Sequence, residues 1–463
     1  MKTLFCSYEV YPFAKVGGLA DVAGSLPKYI KEMGADIDVI MPFHKKIDIN
    51  VTENTGMKIC TGRIDRKIEF DIYKSHLENS DVTVYFLKND ELFDSEDVYE
   101  GGDIFLKTLS ISEIMAIFCE ENEYDLLHLN DWHVGMASVY NYYFYGRIPT
   151  LFSIHNMAYQ GVFPADKFSV TGLPREAFPK IVKDDQINFM KGALMFSNAI
   201  NTVSESYAKE IKTPEFGAGL EDILIKRNDD LYGILNGIDY KINDPDTDKR
   251  IPKNFSVDDL SGKYECKKAL QKRCDLKIED VPLFGLISRL FYQKGLDLLQ
   301  EIVEEFMNEN VQFVILGNGD KKIEDFFLKM QNKFKGKFSS NIMFDINLAQ
   351  EIYAGCDFFV MPSRYEPCGL GQMFAMRYGT VPVVRYTGGL IDSVKEYDET
   401  DKTGTGFGFY DYNSEKLLEV LNKAKKIFYR EDFDIMRKNC MEEDFSWNNS
   451  AKKYIDLYNR YIR

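Results

Sequence analysis

KVGGLADV, Lys15 to Val22, sits between two different patterns. Before it, Thr3 to Ser7 reads as a short strand. After it, Leu19, Val22, Ala23, Leu26, Ile30 and Met33 recur at helical spacing, and Asp36 to Met41 reads as a second strand. Pro27 falls inside the helical pattern, where a proline either kinks a helix or delays its start. Strand, glycine turn, helix and strand make the unit from which parallel sheets are built. Such a turn aims backbone N–H groups and a helix N-terminus at an anion, usually a phosphate. Gly17 and Gly18 permit a close backbone approach, Lys15 offers a point charge, and Asp21 lies in the first helical turn. A plain strand-to-helix turn with a solvated lysine is the other reading.

The alternation continues along the chain. Further strands are expected at Val82 to Leu87, Asp125 to Leu129, Thr150 to Ile154, Ile200 to Val203 and Leu231 to Leu235. The second half repeats it at Leu283 to Ile287, Gln312 to Leu316, Ile342 to Asp345, Phe358 to Met361 and Val381 to Val384, with helical patterns such as Leu296 to Phe306 and Ile323 to Phe334 between. Continuous apolar strands separated by helices predict parallel sheets covered on both faces. The expected fold class is α/β, two Rossmann-like doubly wound domains facing each other across a deep cleft. Lys241 to Lys263, rich in Asp, Pro, Asn and Lys, reads as the linker. That places one domain at residues 1–240 and the other at 241–444.

Composition narrows the function. A chain of 463 residues is long enough for two or three domains, and 45% apolar with 28% charged residues is a globular composition. The formal charge of −16 disfavours nucleic-acid and anionic-membrane partners, which reward a basic face. No apolar run is long enough to span a bilayer, and Glu9 interrupts the apolar stretch that a signal peptide would need. The eight cysteines form no C-x-x-C pair and the five histidines make no zinc spacing, which points to a reduced, cytoplasmic setting without a metal site.

A second glycine motif, SRYEPCGL, runs from Ser363 to Leu370. Glu366 there either accepts sugar hydroxyls or caps the following helix, while Cys368, Gly369 and Leu370 bring amides toward a phosphate. In ISRLFYQKGLD, Ile287 to Asp297, Arg289 and Lys294 are two cations at the end of one strand and suit a diphosphate. Thr387, Gly388 and Gly389 form a weaker anion-binding candidate. Asp131 of NDWH either holds a hydroxyl or caps the next helix, and His155 with Asn156 ends another strand. Asn236 belongs to a polar turn. In doubly wound folds ligands sit outside the carboxyl ends of strands, where Lys15, Asp131, His155, Asn236, Arg289, Asn318, Ser363 and Thr387 all fall. Two such loops, one in each half, imply a single ligand held between the domains.

There is no G-x-x-x-x-G-K-[ST] loop, and LGNGD at Leu316 to Asp320 lacks the third glycine of a dinucleotide fingerprint. There is also no H-E-x-x-H pair and no G-x-S-x-G elbow.

Together with SIHNMAYQG, NFMKGAL, NTVSESYAKEI, LYGILNGID, RYGTVPVVRYTGGL and a closing DFSW, these motifs resemble the bacterial glycogen synthase and plant starch synthase family, retaining glycosyltransferases of the two-Rossmann-domain (GT-B) type. The resemblance runs nearly end to end. It implies glucose transfer from ADP-glucose to the non-reducing 4-hydroxyl of an α-1,4-glucan, with glycogen or a maltooligosaccharide as acceptor and no cofactor or essential metal. By motif, Arg289 and Lys294 would stabilise the diphosphate, assisted by the Lys15 to Gly18 loop and the Gly369 and Leu370 amides. His155, Asn236 and Glu366 would hold glucosyl hydroxyls, with Asp131 and Asp21 near the sugar and acceptor. The family also implies that a terminal helix, about residues 445–463, packs back on the first domain.

Several positions depart from the family pattern. Phe344 stands where a base-stacking tyrosine is usual, Tyr386 where arginine is frequent beside the glycine pair, Gly371 where threonine is common and Ala193 where a second glycine is common. Phe344 and Tyr386 bear on nucleotide preference more than on reaction type. Phe374, eight residues beyond Glu366, replaces the second glutamate of sucrose- and trehalose-type relatives. A non-catalytic glucan- or nucleotide-binding protein, or a transferase using UDP-glucose, is the alternative.

Overall fold

The computed structural model describes residues 1–462. It divides into two compact units, Met1–Gly237 together with the segment from Trp447 onward, and Ile238–Ser446.

The first unit contains β1 (Lys2–Cys6), β2 (Asp36–Pro42), β3 (Glu53–Cys60), β4 (Glu69–His76), β5 (Thr83–Lys88), β6 (Leu126–Asn130) and β7 (Thr150–Ile154). A small sheet of β8 (Val162–Pro164), β9 (Val182–Lys183) and β10 (Gln186–Asn188) follows, then β11 (Ala199–Thr202) and β12 (Leu231–Gly233). The main sheet has the order β12-β11-β7-β6-β1-β2-β5-β4-β3. It is parallel except for β4, which is antiparallel to both β3 and β5. Phe5 in the middle of β1 pairs with Val39 on one side and His128 on the other. Leu4, Phe5 and Cys6 are fully buried, as a central strand covered on both faces requires.

The helix Gly18–Glu32 begins at the glycine turn and runs through Pro27. Of the alternatives for that proline, a delayed start does not occur. The helix Trp447–Tyr461 lies on the first unit and closes its core with Trp447, Ala451, Tyr454, Leu457 and Tyr458. Tyr458 Oη shares a hydrogen bond of 2.7 Å with His128 Nδ1, and Asn201 Nδ2 donates to Tyr454 Oη at 2.9 Å.

The second unit holds β13 (Leu283–Ile287), β14 (Gln312–Leu316), β15 (Phe338–Asn341), β16 (Phe358–Met361), β17 (Val381–Arg385) and β18 (Phe407–Phe409), all parallel, in the order β15-β14-β13-β16-β17-β18. Two sequence expectations change here. The apolar stretch Ile342 to Asp345 is not a strand. The polar-looking FSSN, Phe338–Asn341, takes the edge position, with Phe338 and both serines buried. The apolar residues that follow project outward, Met343 at 48% and Phe344 at 74% exposure.

The second change concerns Lys241 to Lys263, which is not a loose linker. Asp248 accepts from Arg250 and from Tyr378 Oη at 2.6 Å, while Ile251 and Phe255 are buried against Tyr378 and Tyr353. The chain passes between the units at Gly237–Ile238 and Ser446–Trp447 instead. Among the described residues no helix is long and apolar enough to cross a membrane.

Candidate active site

In each sheet the strand order reverses once. In the first unit this happens between β1 and β6, in the second between β13 and β16. Loops leaving a pair of strands at such a point diverge to opposite faces and open a crevice at the carboxyl edge. The site candidates follow these strands and their neighbours.

In the first unit, the loop after β1 carries Lys15, half-buried, whose Nζ lies 2.6 Å from Asp21 Oδ1 on the helix it precedes. Burial raises the Asp21 pKa and Lys15 opposes that shift. Gly17 has extended backbone, φ −132° and ψ −169°, and a Cβ there would meet no atom closer than Glu9 Oε1 at 3.5 Å. Neither conformation nor packing within the unit demands a glycine there. Glu9, 2% exposed, turns its carboxylate into the same loop. Its Oε2 accepts from Val16 N at 2.5 Å and Gly17 N at 3.1 Å, and its Oε1 accepts from Tyr99 Oη at 2.8 Å. Two amides expected to face a ligand phosphate therefore already hold an internal carboxylate.

Asp131 follows β6 with φ 62° and ψ 172°, an unusual backbone for a non-glycine residue. It precedes the helix Trp132–Phe144 but makes no side-chain cap bond. Its Oδ1 instead accepts from His155 N at 2.9 Å, joining the ends of β6 and β7. Burial pushes its pKa up to about 7, with Glu9 adding to the rise. His155 Nε2 is 3.0 Å from Asn130 Oδ1, while Asn130 Nδ2 donates to Cys6 O. The amide oxygen can only accept, so His155 Nε2 carries the proton and Nδ1 is left as the acceptor. Burial pushes the His155 pKa down to about 4, so the ring is neutral near pH 7. Asn156 turns the chain after it, its Oδ1 accepting from Ala158 N. Asn236, beyond β12, is 5% exposed and its buried Oδ1 has no partner, the signature of an acceptor awaiting a donor.

In the second unit, Arg289 follows β13, is exposed, and makes no ion pair among the described residues. Lys294 Nζ lies 2.7 Å from Glu366 Oε2, and Ser363 Oγ donates to the same oxygen at 3.0 Å. Glu366 is 6% exposed. Leu370, not Glu366, is the N-cap of the helix Gly371–Arg377, so the capping role considered for Glu366 does not hold. Gly388, with φ 47°, lies so close to this loop that a Cβ would stand 2.1 Å from Glu366 O, and Gly389 N donates to that carbonyl at 3.1 Å. The TGG glycines thus have a packing reason of their own. Cys368 and Thr387 are buried beside them, and Gly369 adopts φ 69°. Phe344 stands exposed after β15, at the end of the sheet away from Thr387.

Pattern alone does not mark Tyr99 or give Glu9 a role at the site, and it marks Ser363 only as a polar strand end. The signal for Glu9 was present: a carboxylate inside the apolar run FCSYEVYPF demands a buried partner.

Comparison with known proteins agrees with this architecture. Residues 2–226 match the starch synthase catalytic domain family and residues 268–439 match glycosyl transferases group 1. The glycogen synthase of Kosmotoga olearia is 51% identical, covering 99% of this chain and 97% of its own. That of Pseudothermotoga lettingae is 47% identical, over 100% and 99%. Among solved structures, the catalytic domain of starch synthase IV from Arabidopsis thaliana, bound to ADP and acarbose, superposes with a TM-score of 0.92 at 30% identity, over 100% of this chain and 99% of that one. Sucrose-phosphate synthase from Thermosynechococcus elongatus, at 16% identity and a TM-score of 0.63, shares the fold. With two Rossmann-like sheets, polar strand ends at both reversal points and full-length relatives at about half identity, the chain belongs to the glycogen synthase and starch synthase family of GT-B glycosyltransferases.

Proposed function

We propose that this glycosyltransferase uses ADP-glucose as donor and adds glucose to the non-reducing 4-hydroxyl of an α-1,4-glucan, with retention of configuration. The observation that carries the residue assignment is the largely buried Lys294–Glu366–Ser363 cluster at the β13/β16 reversal, with Arg289, which makes no ion pair among the described residues, following the same strand β13. The donor assignment rests on the ADP held by the starch synthase IV relative.

In this reading Arg289 and Lys294 meet the diphosphate. As the bond from glucosyl C1 to the departing phosphate oxygen breaks, negative charge grows on that oxygen, and cations already in place need little reorganisation to stabilise it. Lys15, by the family resemblance, offers a further cation to the donor. Glu366 accepts glucosyl hydroxyls, and the Asn236 Oδ1 accepts another. The neutral His155 presents Nδ1 as an acceptor rather than acting as an acid. Asp131 and Asp21 stand near the sugar and acceptor, and Phe344 offers an aromatic face to the base.

No carboxylate is placed as a committed nucleophile, because Glu366 already accepts from Lys294 and Ser363. The reaction is therefore assigned a front-face route. The acceptor O4 bonds to C1 on the side from which the diphosphate leaves, and its proton passes to the departing phosphate oxygen. A glucosyl-enzyme adduct mapped by mass spectrometry would sink this route.

The deciding assay measures nucleotide release from ADP-glucose and UDP-glucose, each with and without glycogen, alongside label incorporation into polymer. Glycogen-dependent ADP release with matching incorporation is expected. Release from UDP-glucose alone would reassign the donor, and release of neither would favour a binding protein.

A further inference from the structure

The Lys15 to Gly18 loop is a ligand loop by its sequence, yet in the structure two of its amides are engaged by Glu9. The Glu9 carboxylate spans three donors, Val16 N at 2.5 Å, Gly17 N at 3.1 Å and Tyr99 Oη at 2.8 Å. Its own carbonyl accepts from Ser7 Oγ at 2.7 Å, so the residue is held at both ends. The loop is fastened again where Ala14 N donates to Val10 O and Tyr11 N to Ala20 O. Tyr99 in turn stacks on Tyr8, with ring centroids 5.7 Å apart, and packs on His133 at 5.1 Å. A buried carboxylate held by three donors is a fixed element, since moving it would strand a charge in an apolar surrounding.

We infer that Glu9 is a positioning residue for transfer: it acts through the Lys15–Gly17 backbone, holding Lys15 and the open side of Gly17 toward the donor, and itself touches no substrate. The Val16 and Gly17 amides then serve the fold and not the diphosphate. This assigns the loop's ligand contacts to Lys15 Nζ and to the bare Cα of Gly17, which packing within the unit leaves without a reason to be glycine. The inference rests on the transferase reading given above.

Reach and charge can be separated at this position. Glu9→Gln keeps the reach, and its amide oxygen still accepts from Val16 and Gly17. Glu9→Asp keeps the charge and is one methylene too short to serve both amides. Misplacing a reacting group by about 1 Å costs on the order of 100-fold in rate. Glu9→Asp is therefore expected to lower kcat by about 10- to 100-fold, with KM for ADP-glucose changed less than about 3-fold, whereas Glu9→Gln stays within about 5-fold of the parent. On a Lys15→Ala, Gly17→Ala double background Glu9→Asp should cost less than about 3-fold, because Glu9 acts only through that loop. Glu9→Gln as impaired as Glu9→Asp, or losses that multiply with the Lys15→Ala, Gly17→Ala pair, would overturn the proposal, since either shows an action independent of the loop. Parent protein that transfers nothing would instead sink the transferase reading.

Discussion

Lys294 and Glu366, 72 residues apart in the chain, meet at 2.7 Å where β13 and β16 part. The pair is largely buried, with Ser363 on the same carboxylate oxygen. Lys294 is thereby held in place before any ligand arrives, and the Glu366 carboxylate is kept oriented. Removing either partner leaves the other buried and uncompensated, which is costly.

Lys294→Ala is expected to lower kcat by about 100- to 1,000-fold, the scale for losing one preorganised group that faces developing charge. Glu366→Gln, which retains a hydrogen-bonding oxygen, should lose less than Glu366→Ala. Steady-state kinetics with ADP-glucose and glycogen check both, and equal losses for Gln and Ala would mean that the charge is the whole contribution.

Gly17→Ala is expected to fold with an unchanged Tm, because φ is −132° and the nearest atom to the new Cβ is 3.5 Å away. Activity should fall by at least about 10-fold if the donor approaches the bare backbone, the value of about 1.4 kcal/mol of lost contact. Wild-type rates would show that the ligand stays clear of this position.

Phe344 is 74% exposed, so Phe344→Ala should leave stability within about 0.5 kcal/mol of the parent. An aromatic contact is worth about 0.5–1.5 kcal/mol beyond burial, so KM for the sugar nucleotide should rise about 2- to 12-fold. Phe344→Tyr should be near neutral. An unchanged KM for the alanine variant would remove Phe344 from the nucleotide site.

His44, His128, His133 and His155 are all shifted downward by burial, to about 4 for His44 and His155 and about 3 for His133. The folded protein keeps them neutral, whereas unfolded histidines take up protons below about pH 6.5. Their stabilisation is complete above that pH and falls as the medium acidifies toward pH 4, by up to about 1.4 kcal/mol per pH unit for each. Asp131, raised to about 7, works in the opposite sense: stability from its protonated form is lost as pH rises from about 4 to 7. Urea midpoints should drop between pH 7.5 and 5, less steeply in His44→Gln and more steeply in Asp131→Asn. A midpoint that holds steady in the parent would mean the histidines are protonated in the folded state.

Tyr458→Phe should cost about 1–3 kcal/mol, because it leaves the fully buried His128 Nδ1 without its partner. Truncation after Ser446 should prevent the first unit from folding, since it strips Trp447, Ala451, Tyr454, Leu457 and Tyr458 from the core. Denaturation of the point variant and solubility of the truncated chain are the measurements.

Strands β3, β4, β15, β18 and the small sheet of β8, β9 and β10 were not readable from sequence alone, whereas β1, β2, β5, β6, β7, β11, β12, β13, β14, β16 and β17 and the polar residues at their carboxyl ends were. Each depends on local periodicity, and a run such as LFGLI is apolar wherever it packs. The glycine motifs lay just beyond such runs, so Lys15, Arg289 and Glu366 could be found by position. Tertiary structure decided what partners these residues have. FSSN became an edge strand and IMFD an exposed turn because strand pairing with β14 outweighed apolar content. The Asp- and Lys-rich segment 241–263 was fastened by Tyr378, a residue far away in sequence. Glu9 was placed on the amides of Val16 and Gly17, and Tyr458 on His128, by burial: a polar group taken from water must find a partner, and only the folded chain determines which one is within reach.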